Sequence, residues 1–201
     1  MNQTSGIHMD SSQLKNKWDS RYQETDINDA TPAVVLKENL YLLPKTGTAL
    51  DMACGLGANA ICLAQNNLSV TAWDISQIAI DKLNQYSNQH NLQINAQVRD
   101  IESCPPETNS FDVIVVAHFL ERSLTRHIID ALKPDGLLFY QTFTQAKVSD
   151  HGPARVEFRL AQNELLAMFS DLQIVAYREE DIIGDTRQGF RDQAILIAKK
   201  R

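Results

Sequence analysis

The sequence predicts an α/β fold around a mostly parallel sheet, on three observations. Strand and helix patterns alternate from about residue 46 to residue 143, as βαβ units require. Phe111–Ala117 is nearly continuous apolar sequence (Val113, Ile114, Val115, Val116), as expected of a central strand covered on both faces. Small residues at 53, 55 and 57 separate one strand pattern from the helical pattern after it. At 201 residues, the chain fits one domain that hides roughly 70% of its unfolded surface.

The elements follow in order. Met1–Met9 is polar and is read, with Asp10, as a disordered tail or tag remnant. A helix is expected from Ser12 to Gln23. A second runs from Thr31-Pro32, a cap residue followed by proline, to Leu43, where Pro44 stops it. Residues 11–44 are thus an N-terminal helical lid. Strands are expected at 48–52, 69–73, 95–99, 111–117 and 137–143, with helices at 58–65, 76–90 and 123–132 between them. Lys133-Pro134-Asp135-Gly136 is a turn. Residues 45–143 form the ligand-binding core, and residues 144–201 the acceptor side. There a polar loop precedes a short helix at 163–169. Two strands, 172–177 and 193–198, follow with no crossover helix between them, so they pair antiparallel.

Composition narrows the function. The net charge is −6, which argues against a general nucleic-acid binder, because phosphates demand a basic face. No window approaches the ~20 apolar residues of a membrane span. The N-terminus has no apolar signal segment, and no membrane partner is expected. Cys54, Cys62 and Cys104 make an odd count without a CxxC pair, which reads as reduced thiols in the cytoplasm. Monomer and homodimer are equally open.

The sharpest motif is Asp51-Met52-Ala53-Cys54-Gly55-Leu56-Gly57-Ala58. Glycines in a strand-to-helix loop let the backbone approach a ligand, and the helix start offers free N–H groups. Asp74 ends the next strand, seventeen residues past Gly57, where a carboxylate can accept from both hydroxyls of a ribose. Gly55-Leu-Gly-Ala-Asn-Ala60 also fits GxGxxA, so an NAD-dependent oxidoreductase is an alternative. Three features oppose it. Asp51 would repel a pyrophosphate, no separate substrate domain exists, and the Tyr41…Lys45 pair has proline inside it and lies upstream of the loop. A catalytically silent cofactor-binding module is a further alternative.

Asp51-Met-Ala-Cys-Gly-Leu-Gly57 resembles motif I of class I S-adenosylmethionine-dependent methyltransferases. Asp74-Ile75, Arg99-Asp100-Ile101, Phe111–Ala117 and Leu132–Leu138 resemble that family's later segments. Lys17–Tyr22 and Asn163–Phe169 are similar to small bacterial members related to the tellurite-resistance methyltransferase. The resemblance implies a Rossmann-like methyltransferase fold, with a mostly parallel seven-stranded sheet, an antiparallel terminal strand and helices on both faces. It implies S-adenosyl-L-methionine as cofactor. Ala53, Gly55 and Gly57 would cradle the methionine portion, and Asp51 would act on its ammonium group. Asp74 would take the ribose hydroxyls, Ile75 the adenine face, and Asp100 and Ile101 the adenine edge. Ala117 and His118 would face the sulfonium. Ala53 replaces a glycine often found in the motif.

The methyl acceptor is expected to be a small molecule bound over the carboxyl edge of the sheet. Trp18, Arg21 and Tyr22 of the lid and Arg155 and Arg159 of the later loop are its candidate contacts. His118 is the candidate catalytic residue. His118 and Glu121 lack a third metal ligand, so no metal is expected.

Overall fold

The computed structural model describes residues 10–201; Met1–Met9, expected to be a tail, lie outside them. Asp10 is not part of a tail but the N-cap of α1 (Ser11–Gln23). Its carboxylate accepts the Gln13 N–H, and the Gln13 side chain accepts the Asp10 N–H, a reciprocal capping box. The second expected helix shrinks to α2 (Val34–Lys37) and a 3-10 turn at Leu40–Leu42. Asn39 breaks it: its side chain donates to the Val35 carbonyl at 3.0 Å, taking the acceptor that a continuing helix would give to a backbone N–H.

Seven strands form one sheet: β1 (Gly47–Met52), β2 (Leu68–Asp74), β3 (Ile94–Val98), β4 (Phe111–Ala117), β5 (Leu132–Phe143), β6 (Gln173–Glu179) and β7 (Gln193–Lys199). Their order is β3-β2-β1-β4-β5-β7-β6. β7 alone runs antiparallel, between β5 and β6. β5 reaches further back than its sequence pattern indicates. Lys133–Gly136 lies within the strand as an irregularity, where the pairing with β4 shifts between Phe111 and Val113.

The sheet divides two cores by strand alternation. Leu50, Met52, Ile114 and Val116 face α5 (Thr125–Ala131) and α6 (Glu164–Met168). Ala49, Val113 and Val115 face α2, α3 (Ala58–Gln65) and α4 (Gln77–Gln89). All four central residues of β4, Val113 to Val116, are fully buried, as its unbroken apolar run requires. Asp51 falls between Leu50 and Met52 on the α3 side, so a carboxylate is carried into the interior beneath the start of that helix.

Candidate cofactor and acceptor site

Backbone conformation shapes the loop between β1 and α3. Ala53, Gly55 and Gly57 all have positive φ, at 55°, 52° and 78°. A Cβ on Gly57 would lie 2.4 Å from Leu83 of α4, and one on Gly55 would lie 2.7 Å from the Tyr22 hydroxyl. Gly57 therefore permits close packing of loop on helix, and Gly55 leaves space for Tyr22 of α1. Ala53 accepts the left-handed conformation at a steric cost that glycine would not incur.

Two buried carboxylates hold the loop. Asp51 is fully buried. It accepts the Ala60 N–H at 2.9 Å and the Asn59 side-chain amide at 3.4 Å, so it is used to anchor the start of α3. Asp74 accepts the Gly55 and Ser76 N–H groups at 2.7 and 2.9 Å, which ties the ends of β1 and β2 together. Burial pushes the Asp51 carboxyl up to about 7, with the charge of Asp74 adding to the rise, and burial raises Asp74 as well, with a smaller push from Asp19. Among the described residues neither has an ion-pair partner. A site with two such carboxylates favours a ligand with positive charge and hydroxyl donors and disfavours a pyrophosphate.

α1 lies across three strand ends in the order of the sheet. Ser11 donates to Asp100 beyond β3 at 2.6 Å. Asp19 accepts from Ser76 beyond β2, also at 2.6 Å, and from the Ile78 N–H at the start of α4. Tyr22 stands over Gly55 beyond β1. Lys82 of α4 then donates to the carbonyls of Tyr22, Gln23 and Thr25 at 2.7 to 2.9 Å, which caps the last two carbonyls of α1 and holds the turn after it. No α1 residue is fully buried, so hydrogen bonds carry much of its docking. Trp18 and Tyr22 stack at 5.7 Å, with the Arg21 guanidinium 5.5 Å from the Trp18 ring.

Of the expected adenine contacts, Asp100 meets the other end of this helix at Ser11. Asp100 is half-buried, and its hydrogen bonds to Ser11 and Ser103 hold its carboxyl below the usual range. Ile101 is buried and Ile75 half-buried. Ala117 is half-buried at the end of β4.

His118 follows, exposed and in the left-handed region at φ 57°, a strained conformation for a residue other than glycine. Its Nε2 lies 3.1 Å from Gln193 Oε1, and its ring packs 5.1 Å from Phe143. Phe143 in turn meets His151 at 5.4 Å. The register of β1 on β4 pairs Met52 with Val116, so the glycine loop and His118 leave the sheet side by side.

Arg159 corrects an expectation. It is 3% exposed and is not available to an acceptor, because its guanidinium donates to the carbonyls of Thr144, His151 and Pro153. It holds the loop after β5 in shape. Arg155 is exposed and pairs with Glu157. Among the described residues no cluster of three His, Cys, Asp or Glu could hold a metal, and no helix is long and apolar enough to cross a membrane. Sequence reasoning missed Asp19, Ser76, Gln141 and Gln193. A signal existed only for Gln141, a polar residue inside an apolar strand.

Residues 49–136 match the family described as "Methyltransferase domain". The chain is 31% identical over 136 residues to the probable S-adenosyl-L-methionine-dependent methyltransferase TehB of Haemophilus influenzae, covering 65% of this chain and 47% of that protein. It is 32% identical over 101 residues to the ubiquinone biosynthesis O-methyltransferase of Coxiella burnetii, covering 48% and 43%. The chain spans about half the length of the curated relatives it matches. The crystal structure of TehB from H. influenzae superposes with a TM-score of 0.69 at 22% identity, over 94% of this chain and 68% of that one.

Proposed function

We propose that this chain, whose residues 49–136 match a methyltransferase domain, is a class I S-adenosylmethionine-dependent methyltransferase that transfers a methyl group to a small-molecule acceptor over the carboxyl edge of its sheet. When bound, S-adenosyl-L-methionine supplies an electrophilic methyl on a sulfonium. The observation that carries the reading is the pair Asp51 and Asp74, two buried carboxylates at a glycine loop with no ion-pair partner among the described residues. The cofactor's ammonium, sulfonium and ribose diol fit that donor set, and the diphosphate of NAD does not.

In this reading the backbone at Ala53, Gly55 and Gly57 holds the amino-acid portion, with Asp51 setting the negative field beneath it. Asp74 takes the ribose hydroxyls on the lone pairs that the Gly55 and Ser76 N–H groups leave open. Ile75, Asp100 and Ile101 receive the adenine, and Ala117 and His118 border the reacting centre. Ser11 must yield at Asp100 if the adenine amino group is to take its place, so the lid moves as the cofactor enters. Trp18, Arg21, Tyr22 and Arg155 are the acceptor contacts. Their work is orientation and exclusion of water, which together can supply roughly 7–11 kcal/mol. Cys54, Cys62 and Cys104 are free thiols, in keeping with a cytoplasmic setting.

Titration calorimetry tests the reading. S-adenosylhomocysteine gives saturable heat that NAD does not compete away. Saturable binding of NAD, with none of S-adenosylhomocysteine, overturns it.

A further inference from the structure

The polar groups around His118 form a chain whose donors and acceptors can be assigned from one end. The backbone N–H of Val35 can only donate, and it meets Gln141 Oε1 at 2.8 Å. That fixes the Gln141 amide, whose Nε2 then donates to Gln193 Oε1 at 2.7 Å. The oxygen of Gln193 is an acceptor only, so the His118 Nε2 that lies 3.1 Å from it must carry a hydrogen. Gln141 is 2% exposed and Val35 fully buried, so water does not compete at the origin of the chain. Among the described residues no group bonds His118 Nδ1.

We propose that Gln141 and Gln193 are positioning residues that lock neutral His118 in the Nε2–H tautomer, leaving Nδ1 as the general base for an acceptor whose nucleophile is a hydroxyl. This rests on the methyl-transfer reading above and names the acceptor class for that site. A thiolate or chalcogenide anion would need no base, whereas a hydroxyl must lose its proton as it becomes an ether. The acceptor's O–H bond breaks and its proton passes to Nδ1. Its oxygen bonds the methyl carbon, and the electron pair of the broken S–CH3 bond stays on sulfur as a neutral thioether.

The surroundings keep the imidazole neutral until it is used. Burial of part of the ring and the nearby His151 both lower its proton affinity, while the bond to Gln193 opposes them. The other charged neighbours are already engaged. Arg159, beneath Phe143, is held by three carbonyls. Asp192, next to Gln193, accepts from Val148 and Ser149. Glu121 accepts from Ser123. The left-handed backbone of His118 adds a cost that this placement offsets.

The test reads nitrogen protonation directly. In protein labelled with 15N-histidine, long-range 1H–15N correlation spectra place the His118 hydrogen on Nε2 at high pH, with His118→Asn assigning the signal. Gln193→Glu keeps an acceptor, so the tautomer holds and the His118 titration moves up in pH. Gln193→Met removes it, so the tautomers mix and the titration moves down. A hydrogen on Nδ1 in the unaltered protein, or a tautomer indifferent to Gln193→Met, overturns the assignment. With catechol as the hydroxyl probe, product formation followed by mass rises with pH through the His118 titration and shifts with Gln193→Glu. Methylation of 2-mercaptoethanol without any of catechol overturns the acceptor class. Failure to bind S-adenosylhomocysteine would remove the methyl-transfer reading and leave the nitrogen assignment standing.

Discussion

Asp74 bridges from the end of β2 to Gly55, accepting the Gly55 N–H at 2.7 Å on one oxygen and the Ser76 N–H at 2.9 Å on the other. One carboxylate therefore shapes the glycine loop and also presents its remaining lone pairs to whatever the loop encloses. This double duty separates two substitutions. Asp74→Ala removes both roles, and calorimetry should show S-adenosylhomocysteine binding weakened by on the order of a hundredfold or more. Asp74→Asn keeps the shape but turns a donor toward one of the two N–H groups. It should bind with intermediate affinity. Equal affinities for Asp74→Ala and the unaltered protein would remove Asp74 from the site.

The relation between Asp74 and Gly55 was legible in the sequence only as a spacing. Local patterns marked the strands because burial on both faces leaves an unbroken apolar run in β4, and the glycine loop because positive φ restricts residue choice. Other features depended on contacts far apart in the chain. Asn39 breaks the second helix by bonding the Val35 carbonyl, against a sequence that reads as helix. Arg159 looked like an anion grip, because nothing local reveals that Thr144, His151 and Pro153 turn their carbonyls toward it. Gln193 lies 75 residues from His118, and no periodicity connects them.

Arg159 and Arg155 should now behave oppositely when replaced. Arg159→Met leaves three carbonyls without a charged donor in a buried setting, and should cost about 3 kcal/mol in urea denaturation. Hydrogen exchange should rise across residues 144–160. Arg155→Ala should change stability by no more than about 0.5 kcal/mol, as for other exposed positions. Its effect should appear instead in the KM for the acceptor. A stability loss confined to Arg155→Ala would reverse the two assignments.

Asp51 sets a pH dependence that its burial dictates. Its carboxyl is raised to about 7 in the folded chain, whereas an unfolded chain ionises it near pH 4. The folded state therefore holds this proton more tightly. The resulting stability is fully present below about pH 4 and is lost as pH rises through about 7. Asp74 is shifted the same way, while lowered groups such as Asp112 and Glu164 act in the opposite sense, so the total curve does not isolate Asp51. The difference between the unaltered protein and Asp51→Asn does. In chemical denaturation that difference should shift against the unaltered protein by roughly 3 kcal/mol between pH 4 and 7. A bound ammonium group favours the ionised carboxyl. Binding of S-adenosylhomocysteine near pH 7 should therefore release a proton, seen as a heat that differs between phosphate and Tris buffers. Asp51→Asn should lose that difference, and a buffer-independent heat in the unaltered protein would mean that the ligand's ammonium does not feel this carboxyl.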